Sequence, residues 1–175
     1  MGCDFSSAPT KRKQNQLAWG RLQGRVVSVD RLVACPSLAE TEAALQHCGS
    51  WVGGFDLPFG LPRTLVETLG WPTQWEALIN HYAALSRADI RDAFAGFCRA
   101  RPVGGKFAHR ATDGPAGSSP SMKWVNPPVA FMLHAGVPLL RSVGASFPGI
   151  QAAAQWTPRV ALEAYPGLLA RACVG

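Results

Sequence analysis

The first apolar group along the chain is brief, Gly2 to Phe5, and predicts a short strand. The longer run QLAWGRLQGRVVSVDRLVAC carries Val26, Val27, Val29, Leu32 and Val33. That β-branched and apolar content predicts two strands joined by a turn at Gln23-Gly24. The period changes at PSLAETEAALQHCG. Ser37 and Glu40 stand at capping-box spacing, Leu38, Ala44, Leu45 and Cys48 share one helical face, and Gly49 is a stop signal, so a helix is expected. SWVGGFDLPFGLP then reads as a buried-type strand that ends on Asp56 and breaks at Pro58, Gly60 and Pro62. The order βββαβ predicts a mixed sheet whose fourth strand runs parallel to the first through a right-handed crossover.

The middle of the chain has helical spacing. PRTLVETLG, TQWEALINHYAALS and ADIRDAFAGFCRAR are three predicted helices, the second with Trp75, Leu78, Ile79, Tyr82 and Leu85 on one face. Periodicity then lapses from Pro102 to Pro128, a long loop of the kind that compact domains keep for function or leave disordered. A helix over Val129 to Ala135, an extended VPLLRSVGASF, a strand in RVALEAYP ending on Glu163 and Tyr165, and a helix in PGLLARACV with Pro166 near its first position complete the prediction. No internal repeat is visible. The expected architecture is α/β, a central mixed sheet flanked by helices.

Length and composition narrow the picture. At 175 residues the chain suits one domain, residues 1–175. With 47% hydrophobic and 16% charged residues it is globular in type. The five cysteines, at 3, 35, 48, 98 and 173, are odd in number and widely spaced without a CxxC, which fits reduced thiols and argues against a disulfide frame or zinc knuckle. Asp4 interrupts the segment where a signal peptide would have its apolar region, and PPVAFMLHAGVPLL is too short to span a bilayer. The expectation is a cytoplasmic protein with no membrane partner. The net charge of +6 is carried mostly by arginine, whose planar fork suits phosphate and carboxylate, so an anionic partner fits.

Three acids need a reason. Asp4, Asp56 and Glu163 are each the sole acid of an apolar, strand-like segment. A carboxylate buried without partners costs several kcal/mol or stays protonated. Pairing with a cation, capping a turn or holding a metal each removes that cost. Asp56 has a turn or N-cap role open to it in DLPFG, Asp4 an Asx-turn with Ser6 or Ser7, and Glu163 a salt bridge to Arg159 or Arg171. Metal is the reading that joins all three. Mg²⁺ takes hard oxygen ligands, commonly one or two carboxylates with water and substrate phosphate. Parallel strands at 2–5 and 51–56 would bring Asp4 and Asp56 to neighbouring positions at strand carboxyl ends, where open α/β sheets bind ligands, with Glu163 on the strand beside them.

GCDFSSAPTKRK, VGGFDLPFGLPR and VALEAYPGLLAR together resemble the domain-of-unknown-function 429 family of predicted nucleases. The family pattern of Gly-x-Asp, Asp-x-Pro-x-Gly-Leu-Pro and Glu-x-Tyr-Pro falls on Gly2 and Asp4, on Asp56, Pro58, Gly60, Leu61 and Pro62, and on Glu163, Tyr165 and Pro166. HRATDGP and SSPSMKWVNPP also look like family segments, so the resemblance runs nearly the whole length. It implies a ribonuclease-H-like sheet with helices on both faces and Asp4, Asp56 and Glu163 as the acidic site. One departure is that the chain stops at ARACVG, where members of the family continue with more helix. Two readings stay open: Gly175 as a helix C-cap, or a domain shortened at its C-terminus that lacks the fourth acid such sites often use.

The expected function is metal-dependent phosphodiester hydrolysis, with Mg²⁺ or Mn²⁺ held by Asp4, Asp56 and Glu163 as catalytic residues. Lys11, Arg12, Lys13 and Arg63 are candidate phosphate contacts of a nucleic acid or other phosphate-bearing substrate. In the loop Lys106, Arg110 and Lys123 add charge, and Trp124 offers a surface for base stacking. For any one of these cations a solvated surface is the plainer explanation, and His109 is a candidate for proton transfer or an incidental loop histidine. Two other classes stand beside this one. DFSSAPTKRK loosely resembles the phosphate turn of actin-like kinases, an ATP-linked phosphoryl transfer. Six tryptophans and the arginine excess also suit a non-catalytic nucleic-acid or protein binding module.

Overall fold

The structure, a computed structural model, describes residues 1–152 and 156–174. Along them run β1 (Gly2–Asp4), β2 (Asn15–Gln23), β3 (Val26–Cys35), α1 (Leu38–His47), β4 (Trp51–Phe55), α2 (Arg63–Thr68), α3 (Trp75–Ala84), α4 (Arg87–Arg99), α5 (Asp113–Ala116), α6 (Val129–Ser142), β5 (Arg159–Glu163) and α7 (Pro166–Val174). The strands form one open mixed sheet in the order β3-β2-β1-β4-β5. β1, β4 and β5 are parallel neighbours, and β2 pairs antiparallel with both β1 and β3. The α/β class, the βββαβ opening and the parallel return of β4 are as expected.

The chain divides into two compact units. Unit 1 comprises residues 1–57 and 138–164 and holds the whole sheet; unit 2 comprises 58–137 and 165–175. In unit 1 the β2–β3 hairpin turns at Gly24, whose φ of +60° is the left-handed value that favours glycine. Farther down, the register slips between Trp19 and Gly20. A side chain at Gly20 would strike the Ser28 carbonyl, so only glycine lets the two strands approach there.

One face of the sheet is covered. Phe5 and Phe55 meet Thr41 and Leu45 of α1 and Leu139 and Leu140 at the end of α6. Ser37 caps α1, accepting from the Glu40 amide at 3.1 Å, and Trp51 donates its indole N–H to the Leu45 carbonyl, tying helix to sheet. The other face carries apolar side chains as well. Leu22, Val27, Val29 and Leu32, which the ladder places on one side, remain exposed, as do Val52 and Leu162.

In unit 2 the core is aromatic. Tyr82 stacks on Phe94, Trp71 leans on both, and the buried Tyr82 hydroxyl donates to the Ala130 carbonyl. His134 reaches the Leu85 carbonyl at 2.9 Å, and burial pulls its pKa down.

α6 runs seven residues beyond the predicted Ala135, through Pro138 to Ser142. Proline removes a single helical hydrogen bond. The burial of Val137, Leu139 and Leu140 outweighs that loss, and extended chain resumes only at Ser146, which bridges to Val160. Among the described residues no helix is long and apolar enough to cross a membrane. The five cysteines are free.

Candidate active site

β1 ends on Asp4, and the ladder aligns Cys3 with Phe55. The Asp56 amide extends that ladder by donating to the Cys3 carbonyl at 2.9 Å. Asp4 and Asp56 are therefore the next pair in register, on one face, at the carboxyl ends of adjacent parallel strands. The strand stops because the Leu57 amide folds back on the Phe55 carbonyl at 2.8 Å, a turn centred on Asp56, and Pro58 follows. The backbone makes this turn without help from the Asp56 carboxylate.

The electrostatics agree with the register. Burial, and after it the charge of Asp4, raises the pKa of the half-buried Asp56 above its ordinary value. Burial also pushes the thiol of Cys3, the residue before Asp4, up to about 12, with Asp4, Cys35 and Asp56 adding to the rise. Among the described residues neither carboxylate accepts a hydrogen bond or pairs with a cation. Asp4 lies exposed, and neither carboxylate makes a capping or Asx-turn bond among the described residues. The residue before α2 is Pro62, with no side-chain cap, and the Ser6 amide goes to Asn15 Oδ1 at 2.6 Å.

Glu163 is set apart. Its Cα pairs with Phe55, so strand alternation gives it the phase of Phe55, opposite to that of Asp4 and Asp56, although it stands at the same strand ends. Among the described residues no group of three His, Cys, Asp or Glu side chains is placed to hold one ion. The arginines proposed as its partners are engaged elsewhere. Arg159 donates to the carbonyls of Val143, Gln46 and Cys48, and Arg171 to that of Ala116.

The candidate phosphate contacts divide between the units. Lys11, Arg12 and Lys13 lie exposed in unit 1, on a turn closed by two backbone bonds between Thr10 and Lys13. The others belong to unit 2. Arg63 is exposed and bonds Glu67 one turn along α2 at 2.7 Å. Lys106 is exposed and Lys123 half-buried. Arg110 departs from its expected role. Its guanidinium and its own amide both hold Asp113, which is 0% exposed, so it fixes the loop from within. Trp124 packs against Phe107 and Phe94 and is a wall of the aromatic core. The 102–128 segment is thus long but packed, with Ala108, Asp113 and Met122 buried.

Asn15 was not visible as a positioning residue. Fully buried, it accepts from the Ser6 amide and donates to Thr41 Oγ1, tying the segment after Asp4 to α1. An asparagine opening a strand beside a turn carries no signal of its own. Gly60, one of the breaks expected after Asp56, has no such part. Its backbone angle is ordinary and a side chain there would meet open space, so the Asp56 turn does not depend on it.

No family model matches the chain, and no curated protein or solved structure matches it.

Proposed function

We propose that this protein is a metal-dependent phosphodiester hydrolase on a ribonuclease-H-like sheet, with Asp4 and Asp56 as ligands of Mg²⁺ or Mn²⁺. The observation that carries the reading is the carboxylate pair itself. The two acids stand side by side at parallel strand ends, one with a raised pKa, and among the described residues neither has a donor or cation to offset its charge. The cost of bringing them together is offset when a divalent cation binds. Two hard oxygen donors suit Mg²⁺, which keeps several waters and takes further ligands from phosphate.

Such an ion supplies charge neutralisation at the phosphate and a water of lowered pKa. The chain's own residues hold it at the strand ends. Lys11, Arg12 and Lys13 attract the polyanion to the same unit. Glu163 is an outlying acid of this site. The mixed sheet in βββαβ order supports the ribonuclease-H-like reading and the resemblance to the domain-of-unknown-function 429 family. The test is cleavage of single- and double-stranded DNA and RNA with Mn²⁺, comparing wild type with Asp56→Asn. Cutting that vanishes in the variant is expected; equal cutting by both would exclude the site.

A second reading is favoured by the exposed apolar face of Leu22, Val27, Val29 and Leu32, since apolar patches of that kind mark binding surfaces. A binding module would bind nucleic acid or protein without metal and equally well after loss of Asp4 and Asp56.

A further inference from the structure

We propose that a cavity of about 370 Å³ in unit 2 binds one nucleoside monophosphate unit, as a free nucleotide or as the end of a polynucleotide. The inference rests on the phosphodiester reading for its ligand class alone, and its residues are separate from the aspartate pair. The lining is amphipathic in the way such a ligand requires. Leu61, Val66 and Leu78 form an apolar floor. Trp75, the first residue of α3, supplies the aromatic wall, and its indole N–H donates to the Phe59 carbonyl at 2.6 Å, which fixes the ring before any ligand arrives. Thr73 adds a hydroxyl suited to a sugar, and Arg63 adds a guanidinium suited to a phosphate.

Arg63 is not consumed by its own helix. Its bond to Glu67 uses Nε, which leaves both Nη groups for a second anion. Forked donation to phosphate is what distinguishes arginine from lysine at such sites. The volume lies at the lower end of the range of small-molecule sites, enough for one nucleotide and too little for two. An aromatic wall accepts the face of any base, so the cavity selects the nucleotide class more than the base.

The experiment is calorimetric titration in EDTA with adenosine 5′-monophosphate, uridine 5′-monophosphate, adenosine and a 5′-phosphorylated tetranucleotide. Saturable binding of the two monophosphates within about threefold of each other is expected. Arg63→Gln, at an exposed position, should weaken monophosphate binding about tenfold and adenosine less than twofold. Trp75→Leu should weaken both at least tenfold. Gly60→Val, which meets open space, should weaken both while the melting temperature holds, covering the case in which Trp75→Leu fails to fold. Tighter binding of the tetranucleotide would assign the cavity to chain ends, and tighter binding of the monophosphate to free nucleotides. No saturable binding by wild type, or equal binding by wild type, Arg63→Gln and Gly60→Val, would overturn the proposal. Asp56→Asn should bind as wild type does, so failure of the metal site and failure of the cavity are told apart.

Discussion

Asp56 and Asp113 are both acids withdrawn from water, one in part and one fully, and they end in opposite states. Asp113 is fully buried and held three ways, by the Arg110 amide, by its Nε and by its Nη2 at 2.8 Å. Asp56 is half-buried, has Asp4 beside it in register, and among the described residues receives no donor. Burial with saturation marks an acid that serves the fold. An acid at a strand end, next to a like charge and without a partner, holds electrostatic free energy that a ligand can release. The loop that looked functional by its length holds the structural acid, and the short strand ends hold the candidate site.

The contrast can be broken from either side. The largest effect should come from Arg110→Ala, which leaves the buried Asp113 without its counter-charge. A loss of about 3 kcal/mol is expected, read as a fall in the urea midpoint. A loss within the error of the midpoint would mean that Asp113 is satisfied without the arginine. Asn15→Ala should cost about 2 kcal/mol, because the Ser6 amide and Thr41 hydroxyl lose a buried partner, and amide exchange should quicken in residues 6–14. Unchanged exchange there would detach Asn15 from the segment that follows Asp4.

The smallest effect is the most diagnostic. A carboxyl whose folded pKa is raised binds protons more tightly in the native state than in the unfolded chain. Its contribution to stability is therefore fullest below the ordinary aspartate value of about 3.9, and declines as pH rises through the raised value. Asp56→Asn removes that decline. At neutral pH without metal the variant should melt slightly higher than wild type, by about 1–3 °C, with the difference closing below pH 4. The effect is modest because Asp56 is half-exposed and solvent screens it. A variant that melts lower at neutral pH would mean that Asp56 is a structural acid like Asp113.

Local rules made much of this legible. The Ser37 and Glu40 spacing does cap α1, Gly24 does turn the hairpin, and Asp56 does end β4 beside β1. Asp4 and Asp56 could be paired from sequence because parallel strands of known phase fix neighbours. Glu163 was legible as an acid on the neighbouring strand, and its phase was not, because a register that no local signal encodes sets it against β4. Arg110 and Trp124 looked free because their partners, Asp113 and the rings of Phe94 and Phe107, are chosen by tertiary packing. VPLLRSVGASF read as extended chain, and the burial of Val137, Leu139 and Leu140 carries the helix through it to Ser142.

The central claim is that Asp4 and Asp56 form a divalent-cation site, and calorimetric titration with Mn²⁺ tests it most directly. Wild type should bind saturably, Asp4→Asn and Asp56→Asn should each lose at least tenfold in affinity with the fold intact, and Glu163→Gln should lose less. Equal Mn²⁺ affinity in wild type and Asp56→Asn, or no binding by wild type, would contradict the account.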